Sequence, residues 1–135
     1  MVEFDYRKEK LRTGNVIFRP VAKAYLLKDG VDWIPQFFYV DSGADYTLIP
    51  FRLGKFLGLE TIAEQKREVG GIGGMVDVRF ARVPMKIVGQ EFDCTVAWSQ
   101  EEQVPFLLGR EDVFERFDIL FQQKKHKVHF FEPCD

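Results

Sequence analysis

The sequence predicts an all-β fold, a small closed β-barrel with one or two short helices and a glycine-rich hairpin. Many short apolar runs separated by turn residues indicate this architecture. The chain has 14 phenylalanines, and 46% of its residues are hydrophobic, a composition that favours strands around an apolar interior. Its 135 residues fit one domain, which we expect to span residues 1–135.

The first half of the chain alternates strand-like runs with turn residues. The predicted strands cover residues 16–18, 21–27, 31–40 and 46–49. Lys28, Asp29 and Gly30 form a turn between two of these strands. Pro50 then begins a short helix over residues 52–57, and Gly58 ends it.

The second half is predicted to contain three hairpins. The predicted strand pairs are 68–69 with 75–80 around the glycine-rich tip 70–74, 83–88 with 92–98, and 119–121 with 128–131. Residues 106–108 form a short buried strand. Residues 111–117 are expected to form one or two helical turns, because their apolar residues recur on one side.

Charge and hydropathy exclude several classes of partner. The formal net charge of −2 and the pI near 5.7 give no electrostatic reason to expect nucleic acid. No apolar run reaches the length of a membrane span, so we expect no membrane partner. The first eight residues are charged and lack the apolar core of a signal peptide. We therefore expect a cytoplasmic protein.

The cysteines and histidines do not form a metal-binding pattern. Cys94 and Cys134 are the only cysteines and lie far apart, which favours two free thiols in a reducing compartment over a disulfide. His126 and His129 are three positions apart in a predicted strand and would point to opposite faces. They are expected to be solvated rather than zinc-bound, and no metal or cofactor is predicted.

Residues 41–45, with the sequence Asp-Ser-Gly-Ala-Asp, form the most informative stretch. They connect two predicted strands, where an unpaired carboxylate would be costly to bury. Gly43 allows a tight turn, and Ser42 places a hydroxyl beside Asp41. A buried Asp in this position is either a structural hydrogen-bond acceptor or an acid held for chemistry.

Two further segments are candidates for function. The glycines of residues 70–74 precede a strand and lack the Lys-Ser/Thr of a phosphate-binding loop, which argues against a nucleotide site. They form either a flexible hairpin tip or a mobile flap that closes over a ligand. Arg110, which follows Leu107, Leu108 and Gly109, either pairs with a buried carboxylate or lies on the surface at a helix start.

These three segments, in this order, resemble the catalytic loop, the flap and the apolar-apolar-Gly-Arg signature of the retropepsins. Retropepsins are the single-domain aspartic proteases of retroviruses and their cellular relatives. The similarity covers residues 37–121. Ser42 replaces the Thr that is usual in viral members, and Glu111 stands where Asn or Asp is commoner. The segments before Val31 and after Phe121 match the viral proteins poorly.

The resemblance implies an aspartic endopeptidase that acts on peptides or proteins as a homodimer, without metal or cofactor. Asp41 of each subunit would form a dyad that activates water, with Ser42 and Gly43 completing the catalytic loop. The other implied roles are substrate binding by Ala44, Asp45, Gly71, Ile72 and Gly73, and structural support by Leu107, Leu108, Gly109 and Arg110. An ion pair between Asp45 and Arg110 is also implied.

Two other functions remain open at this point. The main alternative is a catalytically inactive retropepsin-fold module that binds peptides or dimerises. The intact Asp41, Ser42 and Gly43 and the glycine-rich tip weigh against it, since a scaffold does not need them. A weaker alternative is a module that processes its own precursor.

Overall fold

The structure, a computed structural model, describes residues 1–63, 66–71 and 74–132, with the backbone alone described at 66–71, 74 and 75. Strands make up 55% of the structure, which confirms the all-β prediction. The strands are β1 Val2–Asp5, β2 Arg7–Lys10, β3 Val16–Arg19, β4 Val21–Lys28, β5 Asp32–Val40, β6 Thr47–Ile49, β7 Lys66–Gly71, β8 Gly74–Ile87, β9 Gln90–Ser99, β10 Leu107–Leu108, β11 Asp118–Gln122 and β12 Lys127–Phe131.

The predicted closed barrel is confirmed, and its six strands follow the order β4-β5-β10-β6-β9-β8. The ring is closed where β8 pairs with β4, through Tyr25 opposite Lys86 and Leu26 opposite Met85. Alternate residues of each strand point inward, so Leu26 and Phe38 are fully buried in the core. The barrel gives the loops at its ends a rigid base.

β8 is one strand of 14 residues, whereas two shorter strands were predicted within it. The strand is continuous because it has a partner along its whole length. It pairs with β7 near its beginning, with β9 from Val78 to Ile87, and with β4 near its end. In the described residues β7 pairs with β8 alone, so the glycine-rich hairpin extends from the barrel as an arm.

Outside the barrel, strands β1 and β2 were not predicted, whereas β3 covers the strand predicted over residues 16–18. β1 pairs with β12, which also pairs with β11, to form a three-stranded sheet. β2 and β3 form a separate hairpin. The missed signal is the alternation of apolar Val2, Phe4 and Tyr6 with charged residues, which has the two-residue period of a half-buried strand.

The predicted short helix is α1, Phe51–Phe56. Pro50 precedes it and Gly58 follows it in the left-handed conformation, with φ +77°. Gly54 faces Trp98 so closely that a β-carbon there would lie 2.1 Å from the indole nitrogen. That nitrogen donates to the carbonyl of Phe51 at 3.0 Å, which fixes the helix on β9.

The helix predicted over residues 111–117 does not form as expected. The segment Arg110–Phe114 is an irregular turn in which Glu111 is extended and Asp112 has φ +67°. The Asp112 carboxylate accepts hydrogen bonds from the Thr95 backbone at 2.7 Å and from Arg82 at 2.9 Å. These contacts hold Asp112 against β8 and β9 and prevent a regular helix.

The cysteine and histidine predictions have mixed outcomes. Cys94 is a free, buried thiol, and burial raises its pKa to about 12. Cys134 lies outside the described residues. The histidines are packed rather than solvated: His129 is 8% exposed and bonds Gln122 at 2.7 Å, and His126 stacks on Phe18 with 3.7 Å between ring centres.

The described residues contain neither a helix long and apolar enough to cross a membrane nor a group of three potential metal ligands among their His, Cys, Asp and Glu side chains.

Candidate active site

Asp41 directly follows β5, on the loop that leads to β6. The short strand β10 lies between β5 and β6, parallel to the first and antiparallel to the second. The backbone N–H of Asp41 donates to the carbonyl of Leu108 at 3.1 Å. The loop is therefore held at the point where three barrel strands meet.

The Asp41 carboxylate is fixed by its own loop. Its Oδ1 accepts a hydrogen bond from the backbone N–H of Gly43 at 2.9 Å. A β-carbon at Gly43 would lie 3.2 Å from the same oxygen, so glycine permits this close approach. Asp41 is half-buried, and no other described residue hydrogen-bonds its carboxylate, which suits a group that must both keep its position and meet a ligand.

Gly109 brings the signature segment against this loop. A β-carbon at Gly109 would lie 2.2 Å from the carbonyl carbon of Tyr46, and its N–H donates to the buried hydroxyl of Thr47 at 3.2 Å. The next two N–H groups, of Arg110 and Glu111, donate to loop carbonyls at 2.8 and 2.9 Å. Three consecutive backbone donors thus hold the loop to β10.

The Arg110 side chain does not form the expected ion pair with Asp45. Its Nη1 donates to the carbonyl of Ser42 at 3.5 Å, near the limit for a hydrogen bond. Asp45 instead accepts through its backbone carbonyl, from Glu111. The predicted tether between these segments is present, but the backbone provides most of it.

The predicted substrate-binding residues fall into two groups. Ala44 is half-buried and Asp45 is exposed, both beside Asp41 on the loop. Gly71 ends β7, where it pairs with Gly74 at the beginning of β8. Ile72 and Gly73, which connect these strands, lie outside the described residues.

A small apolar cluster joins the base of the glycine-rich hairpin to the loop. Val78, Phe80 and Ala97 are buried together, and Tyr46 packs against them. The rings of Tyr46 and Phe80 meet edge to face with 4.7 Å between their centres. The hairpin therefore has its base beside the segment that carries Asp41.

A cleft of about 500 Å³ borders Asp41 and contains residues that the sequence did not reveal. Its walls are Glu9, Arg19, Pro20, Tyr39, Val40, Asp41, Pro105 and Leu107. Glu9 accepts hydrogen bonds from Arg19 Nε at 3.1 Å and from the Tyr39 hydroxyl. Burial and the bond to Glu9 raise the pKa of Tyr39. Its position two residues before Asp41 on one strand face was the available signal.

Comparisons with known proteins show the fold. The chain is similar to a retropepsin-like aspartic protease from Rickettsia conorii, with a TM-score of 0.62, 17% identity, and coverage of 94% of this chain and 95% of that one. It is also similar to the EIAV protease complexed with the inhibitor HBY-793, with a TM-score of 0.52, 20% identity, and coverage of 72% and 86%. No family model and no curated protein matches. The chain has a retropepsin-like fold.

Proposed function

We propose that the chain is an aspartic endopeptidase that works as a homodimer, with Asp41 of each subunit forming the catalytic dyad. The observation that carries the proposal is the fixed Asp41 carboxylate. It is held by the Gly43 N–H on a loop tethered to β10, and it borders an open cleft. The retropepsin-like fold supports the same activity.

The dyad explains why the site needs a second copy of the chain. The sequence contains one Asp-Ser-Gly, whereas aspartic proteolysis uses two carboxylates that share a proton. A two-fold axis beside Asp41 would bring the two identical loops together. One ionised carboxylate would remove a proton from the attacking water. The protonated partner would polarise the scissile carbonyl and then protonate the leaving amine.

The remaining loop residues would position the dyad and the peptide. Ser42 is exposed in the single chain and would hydrogen-bond across the two-fold axis. Gly43, Ala44 and Asp45 would contact the peptide backbone, and the glycine-rich hairpin would close over it as a flap through Gly71, Ile72 and Gly73. The peptide would bind in an extended conformation, as an added strand.

The proposal is tested with a mixture of fluorogenic peptides and three forms of the full chain. Wild type should cleave peptides and be inhibited by a statine-type transition-state mimic. Asp41→Asn should lose the activity. The matched control Asp29→Asn changes an exposed acid in the turn after β4, where Asn also tolerates φ +55°, and should keep it.

A mixing experiment tests the shared dyad separately. After subunit exchange, an equal amount of Asp41→Asn chain should reduce wild-type activity to about half, because half of the wild-type chains then sit in mixed dimers. Undiminished activity after exchange would show that one Asp41 suffices. Peptide binding without any cleavage by wild type would instead favour the non-catalytic module.

A further inference from the structure

The hairpin β2–β3 contributes charged side chains to the cleft beside Asp41. Glu9 comes from β2, Arg19 from the end of β3, and Tyr39 from β5 of the barrel. The Glu9 side chain is 24% exposed and the Arg19 side chain 50% exposed. This end of the cleft is therefore polar and open to a ligand, whereas Pro105 and Leu107 make the rest of its wall apolar.

The hydrogen bonds already present decide which charge this end can bind. Both carboxylate oxygens of Glu9 are occupied, one by Arg19 Nε and the other by the Tyr39 hydroxyl. The two terminal amino groups of Arg19 donate to no group in the described part of the chain. Unused donors outnumber unused acceptors, so the cluster can bind an anion better than a cation.

The net charge leads to the same conclusion. The guanidinium carbons of Arg7 and Arg19 lie 5.5 and 5.9 Å from the centre of the Tyr39 ring, whose hydroxyl donates to Glu9, so two guanidinium groups and one carboxylate contact Tyr39. Arg7, Arg19 and Glu9 together carry a formal charge of +1, and the Asp41 carboxylate lies in another part of the cleft wall. A substrate carboxylate can accept two parallel N–H bonds from a guanidinium. A substrate lysine cannot, because its ammonium group has no acceptor and carries the same charge as the guanidinium.

The distance from Asp41 identifies which part of a substrate would reach the cluster. Tyr39 and Asp41 are two residues apart on one strand face, which separates them by about 7 Å. An extended peptide rises by a similar amount over two residues. The substrate side chain that reaches this end of the cleft therefore belongs to a residue within about two positions of the scissile bond.

We propose that Arg19, held in place by Glu9 and Tyr39, forms a subsite that selects substrates with an acidic side chain, glutamate above all, close to the scissile bond. The apolar wall accommodates the methylene stem of glutamate, and the Arg19 amino groups bind its carboxylate. The inference rests on the proposed peptidase function, which it extends to a class of substrate.

The preference is measured by cleaving a mixture of peptides with every residue type at each position and identifying the products by mass spectrometry. Acidic residues should be enriched at one position within two residues of the cut. Synthetic peptides that differ only there should show kcat/KM at least about tenfold higher for Glu than for Lys, which is about 1.4 kcal/mol.

Two variants and one control assign the preference to Arg19. The double variant Glu9→Arg with Arg19→Glu keeps an ion pair in the hairpin and should reverse the preference towards Lys. Arg19→Gln should reduce the ratio to near unity. Arg12→Gln makes the same charge change as Arg19→Gln, but in the exposed turn of this hairpin and outside the cleft, and should leave the ratio unchanged.

Binding of the Glu and Lys peptides to Asp41→Asn protein, followed by fluorescence anisotropy, separates the subsite from the chemistry. Asp41→Asn protein should bind the Glu peptide more tightly than the Lys peptide, and the double variant Arg19→Gln/Asp41→Asn should lose this difference. That result supports the subsite even if wild type never cleaves. Cleavage by wild type with equal rates for Glu and Lys overturns the subsite and leaves the peptidase function intact. If the protein neither binds nor cleaves these peptides, both the subsite and the peptidase function are overturned.

Discussion

Replacing Gly109 by Ala should be among the most damaging single-methyl additions to this chain. Gly109 directly follows β10, and its backbone lies against Tyr46 and Thr47 at the beginning of β6. The added β-carbon would lie 2.2 Å from the carbonyl carbon of Tyr46, 2.3 Å from its oxygen and 2.8 Å from the nitrogen of Thr47. These are backbone atoms of the barrel, so no side-chain rotation can relieve the contact.

The size of the effect follows from the distances. Carbon atoms in contact normally lie about 3.5–4.0 Å apart, so the two segments must separate by more than about 1 Å. That movement breaks the bond from Gly109 to Thr47 and the two that follow it, from Arg110 and Glu111. Three lost hydrogen bonds at about 1 kcal/mol each, with residual strain, give a loss of about 3–5 kcal/mol. Total stabilities are usually only about 5–15 kcal/mol.

The assay is urea unfolding at a fixed protein concentration, because dimerisation would make stability depend on concentration. Gly14→Ala is the control: Gly14 has φ +91° with nothing within 4 Å of an added β-carbon, so it should cost only about 1 kcal/mol of conformational strain. If Gly109→Ala costs no more than Gly14→Ala, the close approach of β10 and β6 is refuted.

Three further predictions concern the residues around the site. Burial holds the Cys94 pKa near 12, so the thiol stays protonated in the folded chain while it ionises above about pH 9 in the unfolded one. The stability that comes from the protonated Cys94 thiol is therefore fully present below about pH 9 and is lost as pH rises further. Between pH 8 and 10 the unfolding free energy of wild type should fall by about 1.4 kcal/mol more than that of Cys94→Ala. Equal losses would contradict this. In urea unfolding, Arg110→Ala keeps the backbone donor and should cost less than about 1 kcal/mol, whereas Arg110→Pro removes the N–H and should cost about 3 kcal/mol. A larger cost for Arg110→Ala would show that the side chain, not the backbone, holds the loop. Asp112→Ala loses two charge-assisted bonds and should lower the thermal unfolding midpoint, with a cost of about 2–3 kcal/mol. Its neighbour Glu111→Ala, exposed and extended, is the control and should stay near wild type.

Local signals in the sequence were sufficient for much of the barrel. The turn at Lys28 to Gly30, the helix limits at Pro50 and Gly58, and the alternating apolar residues of β4 and β5 each depend on residues a few positions apart. The loop of residues 41–45, which we propose to be catalytic, was likewise singled out from five consecutive residues. Such features are encoded where they occur, so one sequence is enough to predict them.

The features that were missed depend on distant partners. β8 is a single strand because β7, β9 and β4 each pair with a different part of it. Asp112 leaves a helical conformation because Arg82, 30 positions away, binds its carboxylate. Glu9 and Tyr39 are also 30 positions apart, and nothing in the local sequence of either indicates that they meet in the cleft.

The pairing of β1 with β12 also determines when the three-stranded sheet can form during synthesis. Lys127 donates a hydrogen bond to Asp5, although 122 positions separate them along the chain. A ribosome adds about 5–20 residues per second, so β1 must wait several seconds for its neighbour. During that interval Phe4 lacks Phe130 of β12, against which its ring packs edge to face with 5.6 Å between ring centres. Nascent chains should therefore be most susceptible to chaperone capture and aggregation before β12 leaves the exit tunnel.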